Sequence, residues 1–192
     1  MLEQTGLRIN RMDIPEASDD ELIGRMRTDL AAFGLLYRRY LDPVYRYLYF
    51  RVGTAAEAED LTSQVFLAAL EGLPRYHSQG HFPAWLFAIA RRKIADHYRG
   101  FRPQAQLKLA ANLASPGADP LAEALASEQL ASLHNQLARL DEDERELLRL
   151  RFAAGLNFGE MAAVLDRSES SVKMAIYRLL QRMQKQMEGN HD

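Results

Sequence analysis

The sequence predicts an all-α protein made of two small helical domains joined by a flexible linker. Three observations carry that expectation. Apolar residues recur at spacings of three and four, with almost no period-two runs of β-branched residues. A stretch rich in alanine, glutamine and proline interrupts this pattern from 103 to 127, with breakers at Pro103, Pro116-Gly117 and Pro120. Beyond it, three helices follow one another with very short joints. A chain of 192 residues holds one large domain or two small ones. A structureless run of 25 residues is long for a loop inside one domain, which favours two.

Composition narrows the function classes. An apolar share of 47% with 11 glycines and 7 prolines is that of an ordinary globular chain. The absence of cysteine excludes disulfide scaffolds, thiol catalysis and cysteine-ligated zinc. The opening MLEQTGLRINRMDIPEASDD lacks the apolar run of a signal peptide, and no segment approaches the roughly 20 apolar residues of a membrane span. A cytoplasmic protein without membrane insertion is expected. The net charge of −2 argues neither for nor against nucleic acid, so the distribution of charge has to carry that question.

Residues 1–17 are polar and unpatterned and read as a disordered tail. Ser18 followed by Glu21 has the form of a capping box and starts the first ordered helix. From Glu21 to Val52, Leu22, Met26, Leu30, Phe33, Leu36, Tyr40, Val44, Tyr47 and Leu48 keep helical spacing, with Pro43 read as a break or a first-turn position between two helices. A third helix starts near Thr54 and ends at Gly72 and Pro74, with Glu57, Glu59 and Asp60 in its first turns, where the helix dipole favours acids. A fourth runs from about Pro83 to Arg99, holds the single tryptophan, Trp85, and has a strongly basic tail. The first domain is thus expected over 18–102, the linker over 103–127 and the second domain over 128–188.

In the second domain, Leu130, Leu133, Leu137 and Leu140 make a leading amphipathic helix. Leu147, Leu148, Leu150 and Phe152 are expected on the inner face of the next, which closes at Gly155. Asn157 with Glu160 caps a two-turn helix to Leu165, Asp166-Arg167 makes the turn, and Ser168 caps a last helix whose inner face is Val172, Ile176, Leu179, Leu180 and Met183. A short helix, a tight turn and a longer helix with a basic outer face form a helix-turn-helix suited to the major groove. Its candidate DNA contacts are Arg167, Ser168, Ser170, Ser171, Lys173, Met174, Tyr177 and Arg178, with Lys173 and Arg178 on phosphate and Ser170, Met174 and Tyr177 on bases or sugars. Glu169 nearby would be repelled by phosphate unless it accepts from a cytosine amino group. In the first domain, Arg91, Arg92, Lys93 and Arg99 gather around Asp96, with His97 interleaved and Tyr76, Phe82 and Trp85 just upstream. Charge beside aromatic rings suits an unpaired strand, on which such rings stack.

Three blocks resemble the extracytoplasmic-function (ECF) sigma factors of bacterial RNA polymerase. AEDLTSQVFLAAL, from Ala58 to Leu70, is similar to the family's helix that binds the polymerase clamp. FPAWLFAIARRKIADHYR, from Phe82 to Arg99, resembles its helix for recognising and melting the minus-ten element. LNFGEMAAVLDRSESSVKMAIYRLLQRM resembles its helix-turn-helix for the minus-thirty-five element. The likeness extends over Asp20 to Gln186. It implies a promoter-recognition factor whose first domain, sigma region 2, contacts the clamp through Asp60, Leu61, Gln64 and Phe66 and captures minus-ten bases, while the second, sigma region 4, reads the upstream duplex. It also implies core RNA polymerase, promoter DNA and an anti-sigma factor as partners. The sequence departs from the family at Ser63-Gln64, Arg92, Asp166, Ser170 and Met174-Ala175.

Two other classes fit the sequence less well. A stand-alone helix-turn-helix regulator accounts for the end of the chain and leaves the clamp-like block without a role. An enzyme finds little support: His77 and His81 are four apart, but Gly80 argues against the helix that would pair them as ligands. No HExxH, glycine-rich phosphate loop or GxSxG pattern is present. No catalytic residue, metal or cofactor is expected.

Overall fold

The computed structural model describes residues 17–26, 29, 31–77, 81–100 and 133–188. Residues 1–16, the loop 78–80, Leu130 and the expected linker 103–127 lie outside the described residues. Within them the chain forms α1 (Asp19–Arg25), α2 (Ala31–Val52), α3 (Ala55–Gly72), a 3₁₀ turn (Leu73–Arg75), α4 (Phe82–Gly100), α5 (133–139), α6 (Glu142–Leu148), α7 (Phe158–Leu165) and α8 (Glu169–Glu188).

Side-chain caps set most helix starts. Ser18 and Glu21 cap α1 reciprocally, Thr54 accepts from the Glu57 amide at α3, and Asp141 with Glu144 closes a further capping box at α6. Asp19 ties α1 to α2 by binding Arg39 and Tyr40, while Arg39 also donates to the Ala17 carbonyl at 2.7 Å. Pro43 does not break the chain and lies inside α2. A mid-helix proline costs about 3 kcal/mol. Val44, Tyr47 and Leu48, all buried immediately after it, supply the packing that offsets the cost.

Helix α3 packs on α2 and α4, and one buried cluster runs from Leu22 in α1 to Ile176 in α8. It passes between the two halves where α7 packs on α4, so both halves share a continuous apolar interior. A smaller cluster of Leu140, Leu179 and Met183, joined by Leu133 and Leu137, seats α5 against α8.

The helix after α6 departs from the expected pattern. From Arg149 to Ala153 the backbone widens into a π turn, with the Ala154 amide bonded to the Arg149 carbonyl five residues back at 2.9 Å. The wider turn rotates the following side chains, so Phe152, expected inside, stands 60% exposed while Ala153 and Ala154 face the core. On α8, Leu179 takes the inward position and Leu180, one residue and about 100° further round, is 37% exposed rather than inside.

Candidate nucleic-acid interface

The helix-turn-helix is built by its punctuation. Gly155 at φ +74 ends the π turn in a left-handed conformation that favours glycine. Asn157 then accepts from the Glu160 amide at 2.9 Å while Glu160 returns a bond to the Asn157 amide at 2.7 Å. Asp166 takes the left-handed turn at φ 52, within the range aspartate tolerates. Ser168 then accepts from the Ser171 amide at 3.3 Å, so α8 begins where the sequence places it.

All eight candidate contacts at this end are exposed. Arg167 donates to the Ser171 hydroxyl at 3.0 Å, which orders the first turn. Lys173 lies 6.0 Å from the centre of the Tyr177 ring, and the Phe158 ring lies 6.2 Å from it, tilted by 46°. Met174 and Tyr177 therefore stand out together, 50% and 53% exposed, flanked by Lys173 and Arg178.

At the other end, Tyr76, Phe82 and Trp85 form an aromatic corner with ring centres 4.8–6.0 Å apart. Phe82 is buried beneath the half-buried Tyr76 and Trp85. The indole lies on Gly72, where a Cβ would come within 2.9 Å of Trp85 Cζ2, so only glycine lets α3 and α4 close at this point. Along α4, Arg91, Arg92, Asp96 and Arg99 are exposed, and Lys93 and His97 half-buried. Asp96 pairs with Arg99 at 3.2 Å, and His97 faces Glu57 at 3.5 Å.

On α3, Asp60 accepts from the Gln64 amide at 2.8 Å on the outer face, whereas Leu61 and Phe66 are buried beneath it. Two neighbours that sequence reasoning passed over complete this surface. Leu67 is 59% exposed, and Tyr37 of α2 lies edge-on to Phe66 at 4.6 Å with its own ring 38% exposed. Their signal was an apolar residue adjacent to, rather than within, the helical core spacing.

The chain matches two families of known proteins: sigma-70 region 2 over residues 36–102 and sigma-70 region 4 over residues 130–183. It is 34% identical over 147 residues to the ECF RNA polymerase sigma factor SigD of Mycobacterium tuberculosis, covering 73% of this chain and 69% of that protein.

The chain belongs to the ECF sigma factor family.

This sigma factor is also 40% identical over 162 residues to BldN of Streptomyces coelicolor, across 82% of its own length, and it spans 61% of that relative. Among solved structures it is similar to CnrH in complex with the cytosolic domain of CnrY, at 25% identity and a TM-score of 0.62, covering 88% of this chain and 96% of that one.

The sigma factor holds one further group of charges that sequence reasoning missed. Glu146 of α6, only 8% exposed, accepts from Tyr47 Oη of α2 at 2.7 Å and from Arg149 Nη1 at 2.8 Å. Arg91 Nε stands 3.3 Å and Arg51 Nη1 3.6 Å from the same carboxylate. Arg51 also pairs with Glu142, which binds Arg149 at 2.9 Å. Burial, with the Glu146 charge beside it, holds the Tyr47 phenol well above its ordinary range. Desolvation beside the Arg149 charge lowers the Arg51 guanidinium. The signal was a glutamate and an arginine spaced three apart within an apolar face, beside Leu147 and Leu150. His77 and His81 are both exposed, with residues 78–80 between them outside the described set.

Proposed function

We propose that this sigma factor is a transcription initiation factor that binds core RNA polymerase and directs promoter recognition and opening. It acts in the cytoplasm through binding rather than by catalysing a reaction of its own. The observation that carries the reading is the co-occurrence in one chain of a fully capped helix-turn-helix, whose outer face exposes Lys173, Met174, Tyr177 and Arg178, with a basic helix that begins at an aromatic corner. Each surface has a separate physical task.

Asp60 and Gln64 form the polymerase-facing polar pair, set in place from beneath by Leu61 and Phe66 and extended by Leu67. Trp85 and Tyr76, supported by Phe82, offer ring faces to bases that leave the duplex, and Arg91, Arg92, Lys93, His97 and Arg99 track the strand, with Asp96 orienting Arg99. Arg167, Ser168, Ser170, Ser171, Lys173 and Arg178 grip the upstream duplex, where Met174 and Tyr177 meet base edges. Residues 18–102 and 128–188 divide these tasks, and the segment between them makes the second binding event intramolecular, so two weak contacts give useful joint affinity. An anti-sigma factor is the expected regulator, as membership of the family implies, and the similar CnrH is found in complex with a protein partner, the cytosolic domain of CnrY.

Run-off transcription with purified core polymerase tests the reading. Promoter-dependent transcripts are expected only when both proteins are present. Binding of promoter DNA by the protein alone, with no transcript from core enzyme, is the outcome a stand-alone regulator would give.

A further inference from the structure

Arg91 is a strand-tracking residue in the function proposed above, and the inference here rests on that reading. In the structure its guanidinium is occupied. Nη1 donates to the Val164 carbonyl at the end of α7 at 2.6 Å, and Nε faces the Glu146 carboxylate at 3.3 Å. Both partners come from the second half of the chain. A carboxylate and a backbone phosphate present an arginine with the same kind of anionic oxygen pair. The helix end adds to the likeness, because the last carbonyls of a helix carry partial negative charge. Arg51 is held in the same way, by Glu142 and Glu146.

The arrangement is incompatible with simultaneous use of both DNA-binding surfaces. Helix α7 packs on α4 and on α8, so the two DNA-facing helices are separated by two packing distances of about 8–10 Å each. Minus-ten and minus-thirty-five elements lie about 25 base pairs apart, or about 85 Å at 3.4 Å per pair. The two halves must separate before both can bind. Parting returns Glu146, Arg149, Arg51 and Arg91 to water, which offsets the lost ion pairs, and the apolar contact of α7 on α4 sets the remaining cost of opening.

We propose that the acidic turn of α6, through Glu146, is a built-in competitor for DNA that occupies Arg91 while the two halves are packed together, with Arg51 and Glu142 holding the turn in place. The turn covers the start of the basic run on α4 in the free protein. Its release and the capture of the strand are alternative states of the same guanidinium group. Polymerase and DNA together supply the free energy that separates the halves, and the protein alone binds a strand with its affinity reduced by the small fraction of open molecules.

The test uses the full chain, whose lack of cysteine lets two introduced thiols be labelled cleanly. Glu71→Cys on α3 and Lys185→Cys on α8, both exposed, report the separation of the halves by energy transfer between dyes. A fluorescent oligothymidine strand reports strand binding at fixed ionic strength. The doubly labelled parent is expected in the close state, moving apart as the strand is added. Glu142→Gln with Glu146→Gln is expected to shift the population open and to tighten strand binding about tenfold. Arg91→Ala should open the halves equally and gain no affinity.

Should the double variant lose its helical circular dichroism, Glu142→Gln alone, at a half-exposed position, carries the test with an expected gain of about threefold. Separation of the halves without any gain in strand affinity would overturn competition at Arg91. So would a parent that is already open, or a double variant that stays closed. Run-off transcription is measured in parallel on the unlabelled protein, because its failure with the competition intact removes the initiation-factor reading and leaves the intramolecular contact standing.

Discussion

Tyr47 and Glu146, separated by 99 positions in the sequence, meet at 2.7 Å between α2 and α6, with the phenol donating to the carboxylate. The tyrosine is 1% exposed and its ring lies edge-on to Phe87 at 5.4 Å, so one side chain serves the core of the first half and the polar seam to the second. A hydrogen bond to a charged acceptor in such a setting contributes about 1.5–3 kcal/mol. Tyr47→Phe keeps the ring and removes only the donor. It should lower stability by about that amount in urea unfolding, with the helical signal of the folded protein unchanged.

Alkaline pH acts on the same contact. Burial, followed by the Glu146 charge and hydrogen bond, raises the Tyr47 phenol, and burial with the Asp19 hydrogen bond raises Tyr40 likewise. In the unfolded chain both phenols ionise near pH 10. Below that pH both states are protonated and the stabilisation is fully present. Above it the unfolded chain loses protons that the folded one retains, so stability falls as pH rises. Melting temperature should therefore drop steeply above about pH 10, and Tyr47→Phe should flatten that drop. Ultraviolet titration should show these two phenols ionising together with unfolding rather than before it.

Gly72 and Trp85 offer a local probe of the aromatic corner. Gly72→Ala places a methyl 2.9 Å from the indole and forces the ring outward. A cost of about 1–3 kcal/mol is expected from overpacking. The single tryptophan reports it directly through a red-shifted emission. Promoter opening should decline in this variant, while affinity for core polymerase, proposed to depend on Asp60 and Gln64 at least two turns away along α3, should remain.

Charge reversals separate the surfaces. Lys173→Glu on α8 should reduce promoter-directed transcription at least about tenfold, since it removes the proposed phosphate contact and adds repulsion, and should leave core binding unchanged. Asp60→Arg should weaken core binding with the helix-turn-helix still folded. Affinity for polymerase and duplex DNA, measured separately on each variant, checks the assignment.

What was legible in the sequence was whatever local chemistry decides. Ser18 with Glu21 and Asn157 with Glu160 announced their helix starts because capping needs only residues three apart. Asp166 could be read as the turn because few residues accept its backbone angles. Pro43 misled, since tertiary burial of Val44, Tyr47 and Leu48 outweighs a local preference. Phe152 misled because a π turn alters the period on which its inward position was counted. The Glu146 cluster was hidden for a different reason. Tyr47, Arg51 and Arg91 belong to another half of the chain, and no short-range spacing records that they converge.

The central claim is tested most directly by transcribing genomic DNA with purified core polymerase, with and without this protein, and mapping the start sites. A set of starts that depends on the protein and shares two upstream elements, one of them lost with Lys173→Glu, is the predicted result. Protein that binds duplex DNA but creates no new start sites with an active core enzyme would contradict it.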